Sequence, residues 1–296
     1  MSAAILAIFS SISFGAGDFL GGLAAKRAAL LFILLGNQLA ALTALLIVAC
    51  AADPFFLSSA DLKLSILAGL STAIGIPMLY KGLAIGPMSI VAPVTALAAI
   101  MLPVLYGILA LGEAPDLLTY AGFAIAGLAV FLLGGGERFF SALGADKGKQ
   151  GTPLRAFAYA LGSGICIATF YVATKRCSGE SGLWPLVVAR CVALCVYSAV
   201  SIVGRRREVL TWPGSRLALF VFLSGALDGG GNAFYILAAH AGDLGIVATI
   251  TSLYPATTIL LARYALGERI SLPQAIGIAS ALLAIAAIVW GLQVPA

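Results

Sequence analysis

Charged side chains are scarce in this sequence. Asp, Glu, Lys and Arg together make up 10% of its 296 residues, whereas 61% are hydrophobic. Soluble globular proteins devote about a quarter of their residues to these four charged types, so this chain lacks the polar side chains that would cover a water-exposed surface. Its mean hydropathy of +1.08 leads to the same conclusion. The composition predicts an integral membrane protein that lies in a lipid bilayer.

Residues that bind metals or drive hydrolysis are also few. Histidine occurs once, and the five cysteines are odd in number, with no CxxC spacing. Most of these cysteines lie in apolar stretches, where cysteine acts as a small hydrophobic residue. The HExxH signature of zinc hydrolases and the GxSxG signature of serine hydrolases are both missing. We therefore expect no disulfide, no metal, no cofactor and no enzymatic activity.

The net charge of +5 does not predict binding to nucleic acid. Lys and Arg lie mostly in the polar breaks between apolar stretches, where they orient membrane helices instead. They concentrate in or beside the odd-numbered breaks, for example at Lys26-Arg27 and Arg205-Arg206-Arg207. The positive-inside rule therefore places the odd-numbered loops in the cytoplasm.

Apolar stretches long enough to cross a bilayer follow one another almost end to end. A transmembrane helix needs about 20 mostly apolar residues, and these runs are continuous rather than alternating, which disfavours a β-barrel. The fold class is therefore all-α, a polytopic membrane protein with ten transmembrane helices. The predicted spans lie near residues 3–24, 29–51, 62–84, 88–111, 116–134, 154–174, 184–204, 216–238, 244–266 and 272–292.

The two halves of the sequence resemble one another. Ile90-Val91-Ala92 recurs as Ile246-Val247-Ala248, and Leu111-Gly112-Glu113 recurs as Leu266-Gly267-Glu268, each about 155 positions later. Five spans in each half is an odd number, so the second half must enter the membrane with opposite polarity. We therefore predict two inverted five-helix repeats, at residues 1–135 and 153–296, joined by a Gly-rich linker at residues 136–152.

The repeated motifs resemble those of the drug/metabolite transporter superfamily, in its ten-span form with two EamA-like repeats. The resemblance rests on the two Leu-Gly-Glu motifs, each followed by a helix that carries Gly122 or Gly277, and it covers nearly the whole chain. It implies a secondary carrier of small molecules, of the kind that exports amino acids or related metabolites across a bacterial-type inner membrane. Members of this family usually keep both termini in the cytoplasm, which is opposite to the orientation that the charge pattern favours.

Three ionisable residues fall inside predicted spans, where an unpaired charge costs several kcal/mol. Asp228 is followed by three glycines and Asn232, and consecutive glycines favour a local helix break that can hold a substrate or an ion. Arg190 has the planar fork that binds a carboxylate or phosphate. Alternatively, the glycines only allow close helix packing, Asp228 pairs permanently with Arg190, and Asp18 lies near enough to the interface to hydrate.

Neutral polar side chains in other spans extend the candidate binding site. Hydroxyl and amide groups bind solutes without a standing charge, although each one alone is more typical of packing or interhelical hydrogen bonding. The predicted substrate-binding residues are Asp228, Asn232, Arg190, Tyr80, Tyr235, Asp18, Asn37 and Tyr171. Prolines in spans three, four and nine, at positions 77, 93, 103 and 255, predict bends that would let these spans close the pathway.

Two other functional classes remain as alternatives. Gly15-Ala-Gly17-Asp18-Phe19 resembles a string in intramembrane aspartyl proteases, whose chemistry needs two facing carboxyl groups that share a proton; the other motifs of those enzymes are missing. A passive channel is the second alternative, although no stretch resembles a filter loop. No nucleotide-binding loop occurs either. The sequence therefore predicts a secondary active transporter, a monomer or homodimer, coupled to a proton or ion gradient.

Overall fold

A computed structural model of the chain describes residues 3–25, 29–52, 55–85, 88–133, 153–204, 214–267 and 269–291. Within these ranges the chain forms eleven α-helices and one short 3-10 turn. The helices are α1 (Ala3–Ala25), α2 (Leu30–Ala52), α3 (Ser59–Ile85), α4 (Met88–Ala110), α5 (Leu117–Leu133), α6 (Pro153–Lys175), α7 (Trp184–Val203), α8 (Ser215–Ala241), α9 (Leu244–Thr251), α10 (Tyr254–Leu266) and α11 (Leu272–Gly291).

These helices form ten spans, because α9 and α10 together make the ninth. Among the described residues, eight spans are long and apolar enough to cross a membrane, and two shorter apolar helices lie at Val94–Ala110 and Leu117–Leu133. Large apolar side chains stand on the outer surface, as Leu109 and Leu117 do with more than four fifths of their area exposed. Such a surface is stable only in lipid. The predicted all-α, polytopic membrane fold is confirmed.

The two halves pack against each other in reciprocal pairs of helices. Helices α1 and α2 of the first half pack on α8. Their equivalents in the second half, α6 and α7, pack in the same way on α3, which is the equivalent of α8. Helix α5 meets α11, and α2 meets α7, which are equivalent positions in the two halves. A two-fold relation between the first five and the last five spans produces such pairs. With an odd number of spans per half, this packing is the one expected of an inverted repeat.

Glycines set the closest approach between α8 and its two neighbours. A Cβ atom at Gly225 would lie 2.8 Å from the Cα of Asn37, and one at Gly229 would lie 3.1 Å from the Cα of Ala41, both on α2. On α1, a Cβ at Gly17 would lie 3.2 Å from the carbonyl oxygen of Ser224. Small residues let membrane helices approach backbone to backbone, which replaces the hydrophobic driving force that lipid does not supply.

The predicted helix break after Asp228 is wrong. Helix α8 runs without interruption from Ser215 to Ala241, so all three glycines are helical. A helical glycine costs about 1 kcal/mol relative to alanine, but Gly229 and Gly231 lie against Ala41 and Phe14, where a side chain would collide. Close packing therefore outweighs the low helix propensity of glycine at this point.

The broken span is instead the ninth, between Thr251 and Tyr254. Helix α9 ends at Thr251 and α10 starts at Tyr254, with Pro255 in its first turn. Proline has no N–H to donate to the preceding turn, so it ends one helix and starts another. The Thr251 hydroxyl at this break is buried without a hydrogen-bond partner among the described residues. Helices α3 and α4 continue past their own prolines as single helices.

The repeated Leu-Gly-Glu motif has a structural explanation in its first copy. Gly112 has a φ of +71°, the left-handed conformation that ends helices and that glycine adopts most readily. The chain then reverses so that the Glu113 carboxylate accepts hydrogen bonds from the backbone N–H groups of Leu244 (2.6 Å) and Gly245 (3.1 Å). A loop of the first half thereby caps the first turn of α9 in the second half. Gly267 is also left-handed (φ +67°), whereas Glu268 lies outside the described residues.

We expect Glu113→Gln to lower the stability of the bundle by about 1–2 kcal/mol, because it replaces two hydrogen bonds to a charged acceptor. The measurement is the thermal unfolding midpoint of the purified protein in detergent. Glu180→Gln is the matched control, since Glu180 is an exposed side chain in a loop on the same face. Equal midpoints for the two variants would refute the capping role of Glu113.

We also expect Gly225→Ala to destabilise the fold by about 1–3 kcal/mol, because the added methyl group overlaps the α2 backbone. Gly230→Ala in the same helix is the control, since a Cβ there meets no atom within 4 Å. Both substitutions raise helix propensity equally, so the difference in unfolding midpoint isolates the packing effect. A Gly225→Ala protein as stable as the control would show that α2 and α8 are not in this close contact.

Candidate functional site

A buried ion pair joins three helices near the middle of the bundle. Arg190 of α7 is only 5% exposed, and its Nη2 atom lies 2.5 Å from Oδ2 of Asp228 on α8. Its Nη1 atom donates a hydrogen bond to Oε1 of Gln38 on α2, at 2.9 Å. A guanidinium group at this depth is stable only if paired and hydrogen-bonded. The pairing of Asp228 with Arg190, one of the two alternatives that the sequence left open, is the arrangement in the structure.

Asp18 on α1 is the second carboxylate of this region. Its side chain keeps an exposed surface although it lies within a membrane span, and it has no hydrogen-bond or ion-pair partner among the described residues. Asp18 is close enough to Asp228, Tyr171 and Tyr254 to interact electrostatically with each of them. The two carboxylates therefore lie in one interior region, and the Arg190 guanidinium group pairs with one of them, Asp228.

The backbone around Asp18 is held on two sides. At Gly15, α1 packs on Thr257 and on the carbonyl of Tyr254, and the Thr258 hydroxyl donates to the Gly15 carbonyl at 3.0 Å. At Gly17, α1 packs on the α8 backbone at Ser224. The Gly-Ala-Gly-Asp string thus positions α1 between α8 and the broken ninth span. The position of Asp18 follows from this packing.

Tyr171 and Tyr235 stack against one another on one side of the charged pair. Their ring centroids are 4.4 Å apart, at an interplanar angle of 31°, and the Tyr235 hydroxyl donates to the Tyr171 carbonyl at 3.3 Å. Both side chains are buried. The two tyrosines that the sequence placed in the site are therefore in contact, and they join α6 to α8 beneath Asp228.

The predicted amide residues make local hydrogen bonds. Asn37 donates to the Ser224 hydroxyl at 3.2 Å, and that hydroxyl donates to the Gly17 carbonyl at 2.8 Å. Asn232 donates to the backbone carbonyl of Asp228 in its own helix, at 2.8 Å. Asn37 and Ser224 therefore connect α2, α8 and α1, in the interhelical hydrogen bonding that was the alternative role for such residues, whereas the bond of Asn232 lies within α8. The side chain of Tyr80 lies outside the described residues.

One end of the bundle is closed around these residues. We call it the even-loop face, because it holds the start of α1 and the loops after the even-numbered spans, at residues 55–58, 111–116, 176–183 and 242–243. Helix α9 lies just inside this face, and every residue from Leu244 to Thr251 is buried. Helix α4 packs on α9, and α6 contacts both α8 and α9. These contacts join the two halves at this end.

Polar contacts reinforce this closure. Lys175 at the end of α6 donates to the carbonyls of Ala239 and Gly242 at the end of α8, which is favourable for a cation at a helix C-terminus. Asp61 at the start of α3 is 3% exposed, and it accepts from the Ser178 N–H at 3.0 Å and the Ser181 hydroxyl at 2.7 Å. Sequence analysis missed both residues, because a charge at the end of a span is usually an interfacial group.

The opposite end, which we call the odd-loop face, is less closed in the described residues. Helix α10 leads towards it and contains no buried residue, in contrast to α9. Helix α4 packs on α9 but makes no comparable contact with α10. Asp18 is exposed and the Asp228 side chain is 30% exposed, whereas Arg190 is buried. Among the described residues, the contacts that close the bundle beside the interior charges therefore lie at the even-loop face.

An apolar groove of about 470 Å³ lies elsewhere, between α3, α4 and α6. Mostly apolar side chains line it, five of them leucines, and none of Asp18, Arg190 and Asp228 does. Its position on the outer surface makes it a lipid-facing cleft, so the charged interior and not this groove is the candidate site.

We expect Arg190→Met and Asp228→Asn each to lower stability by about 2 kcal/mol or more, because each leaves a partner without its charge at membrane depth. The double variant should recover about 1–3 kcal/mol relative to the sum of the two single effects. Unfolding midpoints of the four proteins in detergent measure this coupling. Arg190→Met combined with Glu180→Gln is the control pair and should be additive, whereas additivity of the Arg190 and Asp228 variants would show that the ion pair contributes nothing.

Comparison with known proteins agrees with this architecture. Residues 154–290 match the sequence profile of the EamA-like transporter family. No curated protein is significantly similar in sequence to the chain. A solved structure described as "Crystal structure of protein" superimposes over 97% of this chain and 98% of its own, with a TM-score of 0.76 at 16% sequence identity. That identity establishes a common fold only.

The structural match covers nearly all of the chain, and the family match covers its second half. The matched region starts in α6 and ends in α11, so it contains all five spans of the second half. The full-length structural match includes the first half as well. Residues 154–290 of this multi-pass membrane protein therefore form an EamA-like transporter domain, of the drug/metabolite transporter superfamily.

Proposed function

We propose that the protein is a secondary active transporter that moves small metabolites across the membrane by alternating access. The observation that carries this proposal is a bundle closed at the even-loop face, with two carboxylates and a guanidinium group in its interior and fewer closing contacts at the odd-loop face among the described residues. We infer that this site is reached from the odd-loop face. A carrier needs such a site, open to one side at a time. The halves 1–135 and 153–296, joined by residues 136–152, would exchange roles when the other face opens.

The contacts at the even-loop face define what must separate. Opening requires α4 to leave α9 and α6 to leave α8, so the Lys175 contacts with the α8 carbonyls and the Tyr171–Tyr235 stack must break. The break at Thr251–Tyr254 divides span nine, so that α10 moves without α9. Pro255 keeps that joint from reforming a continuous helix.

Charge supports a direction for transport. Odd-numbered loops are rich in Lys and Arg, which favours a cytoplasmic position for the odd-loop face. A site reached from the cytoplasm loads its substrate there, so we propose export, of amino acids or related solutes, across the inner membrane of a bacterial-type cell. Coupling to a proton or ion gradient supplies the energy. The oligomeric state that we expect is a monomer or homodimer.

Two observations argue against the alternatives. An aspartyl protease needs two carboxyl groups that share a proton, but Asp228 is neutralised by Arg190, and no hydrogen bond joins it to Asp18 in the described part of the chain. A passive channel needs a continuous pathway, but the interior ends at the buried tyrosine stack and at α9. We therefore propose a carrier and not an enzyme or channel.

We expect counterflow in liposomes that contain the purified protein and a panel of unlabelled amino acids, amines and nucleosides. A carrier accumulates external labelled substrate faster when unlabelled substrate is inside, because the loaded site returns more readily than the empty one. Asp228→Asn and Arg190→Ala should lower this exchange at least about tenfold, since each breaks the buried ion pair of the site and leaves the remaining member without its partner. Glu180→Gln should exchange like the unmodified protein.

Each contrary result has a distinct meaning. Flux of label without acceleration by internal substrate would indicate a channel. Release of cleaved product without uptake would indicate an enzyme. Normal exchange by both Asp228→Asn and Arg190→Ala would leave the transport function standing and remove these residues from the pathway.

A further inference from the structure

The charges of the interior do not balance. Asp18 and Asp228 are two carboxylates in one region, and Arg190, which pairs with Asp228, is the cation in contact with this region among the described residues. When both carboxylates are ionised, the region carries one uncompensated negative charge. Such a charge at membrane depth is costly unless water or a mobile cation accompanies it.

Arg190 is not free to bind a substrate anion. Its Nη2 atom is 2.5 Å from Asp228 and its Nη1 atom is 2.9 Å from Gln38. The third nitrogen, Nε, is fully buried and has no partner among the described residues, so an incoming carboxylate does not reach it from accessible space. The guanidinium group therefore neutralises Asp228, and the anion-clamp role predicted from the sequence is not favoured by this geometry.

Asp18 has the opposite properties. Its carboxylate is exposed to the accessible interior and has no hydrogen-bond or ion-pair partner in the described part of the chain. Its position is fixed by the packing of Gly15 and Gly17 against the backbones of α10 and α8. A rigidly placed, accessible and unpaired carboxylate attracts a cation.

Aromatic rings lie beside this carboxylate. Phe14 is one helical turn before Asp18 on the same face of α1, and its ring packs edge to face against Tyr254, with centroids 6.4 Å apart. Tyr254 and Tyr171 are both electrostatic neighbours of Asp18. Aromatic rings bind ammonium groups through their negative faces and pack against an apolar substituent at the same time.

We infer that Asp18 binds the ammonium group of the transported molecule, so that the site selects small organic amines over neutral or anionic analogues. This inference rests on the proposed transport function and names its substrate class. The ammonium group pairs with Asp18, the aromatic rings of Phe14 and Tyr254 contact its apolar part, and the Arg190–Asp228 pair stays intact. Zwitterionic amino acids enter this class through their amino group.

The test compares three ligands of nearly equal size and shape. They are 2-phenylethylamine, 2-phenylethanol and phenylacetate, which share a ring and differ in whether the polar end is cationic, neutral or anionic. Binding to the full chain in detergent is measured by isothermal titration calorimetry, at neutral pH and low salt. The amine should bind about tenfold or more tightly than the other two, because it alone carries a positive charge and forms an ion pair with Asp18.

The variants assign the binding to Asp18. Asp18→Asn keeps the shape of the side chain and should weaken amine binding about tenfold, while Asp18→Glu should restore most of it. Glu180→Gln removes an acidic group far from the spans and should bind the amine normally. The thermal unfolding midpoint of each variant shows whether it is folded. If Asp18→Asn does not fold, the amine affinity of Asp18→Glu is the test instead.

Several outcomes would overturn the inference. Phenylacetate binding more tightly than the amine would show that Arg190 is the recognition group after all. Unchanged amine affinity in Asp18→Asn, or no amine binding at millimolar concentration, would remove Asp18 from recognition. Binding in detergent requires no translocation, so amine binding without counterflow in liposomes would refute the transport function and leave the binding site intact.

Discussion

The central constraint in this fold is the cost of placing a guanidinium group at membrane depth. The ion pair with Asp228 and the hydrogen bond to Gln38 offset this cost for Arg190. The same two contacts connect α7 to α8 and α2. Helices α2 and α8 must then lie close together, which the glycines at 225 and 229 permit. Helix α1 follows, because its own glycines pack on α8 at the same level. The burial of the Arg190–Asp228 pair and the close approach of α2 and α8 at the glycines therefore depend on each other.

The order and length of the spans are readily predicted from the sequence. Bilayer thickness dictates about 20 apolar residues per span, and each predicted range overlaps an observed helix or, for the ninth, the pair α9 and α10. The ionisable residues within spans were also identifiable, because their cost singles them out. That Asp228 and Arg190 form a pair was one of two readings, and a single sequence cannot choose between them when the residues lie far apart along the chain.

Local helix behaviour was harder to predict. Three consecutive glycines after Asp228 favoured a break, yet the tight contact of Gly229 with α2 stabilises the helix there. Pro255 does interrupt span nine, while Pro77 lies within the continuous α3. Intrinsic propensity is similar in these cases, so tertiary packing decides between them. The roles of Lys175 and Asp61 were missed for a related reason, since their partners are backbone groups of distant helices, which no residue pattern encodes.

The unpaired hydroxyl of Thr251 has a consequence for the energetic balance between conformations. A buried polar group without a partner raises the free energy of the state that contains it by about 1–3 kcal/mol. Any rearrangement of the ninth span that gives this hydroxyl an acceptor recovers that energy. In the transport cycle that we propose, the closed even-loop face is thus held less firmly than its many contacts suggest, and the population of the opposite state rises accordingly. A carrier that alternates between two conformations cycles fastest when neither one is a deep free-energy minimum. The unpaired Thr251 hydroxyl raises the free energy of the conformation that is closed at the even-loop face.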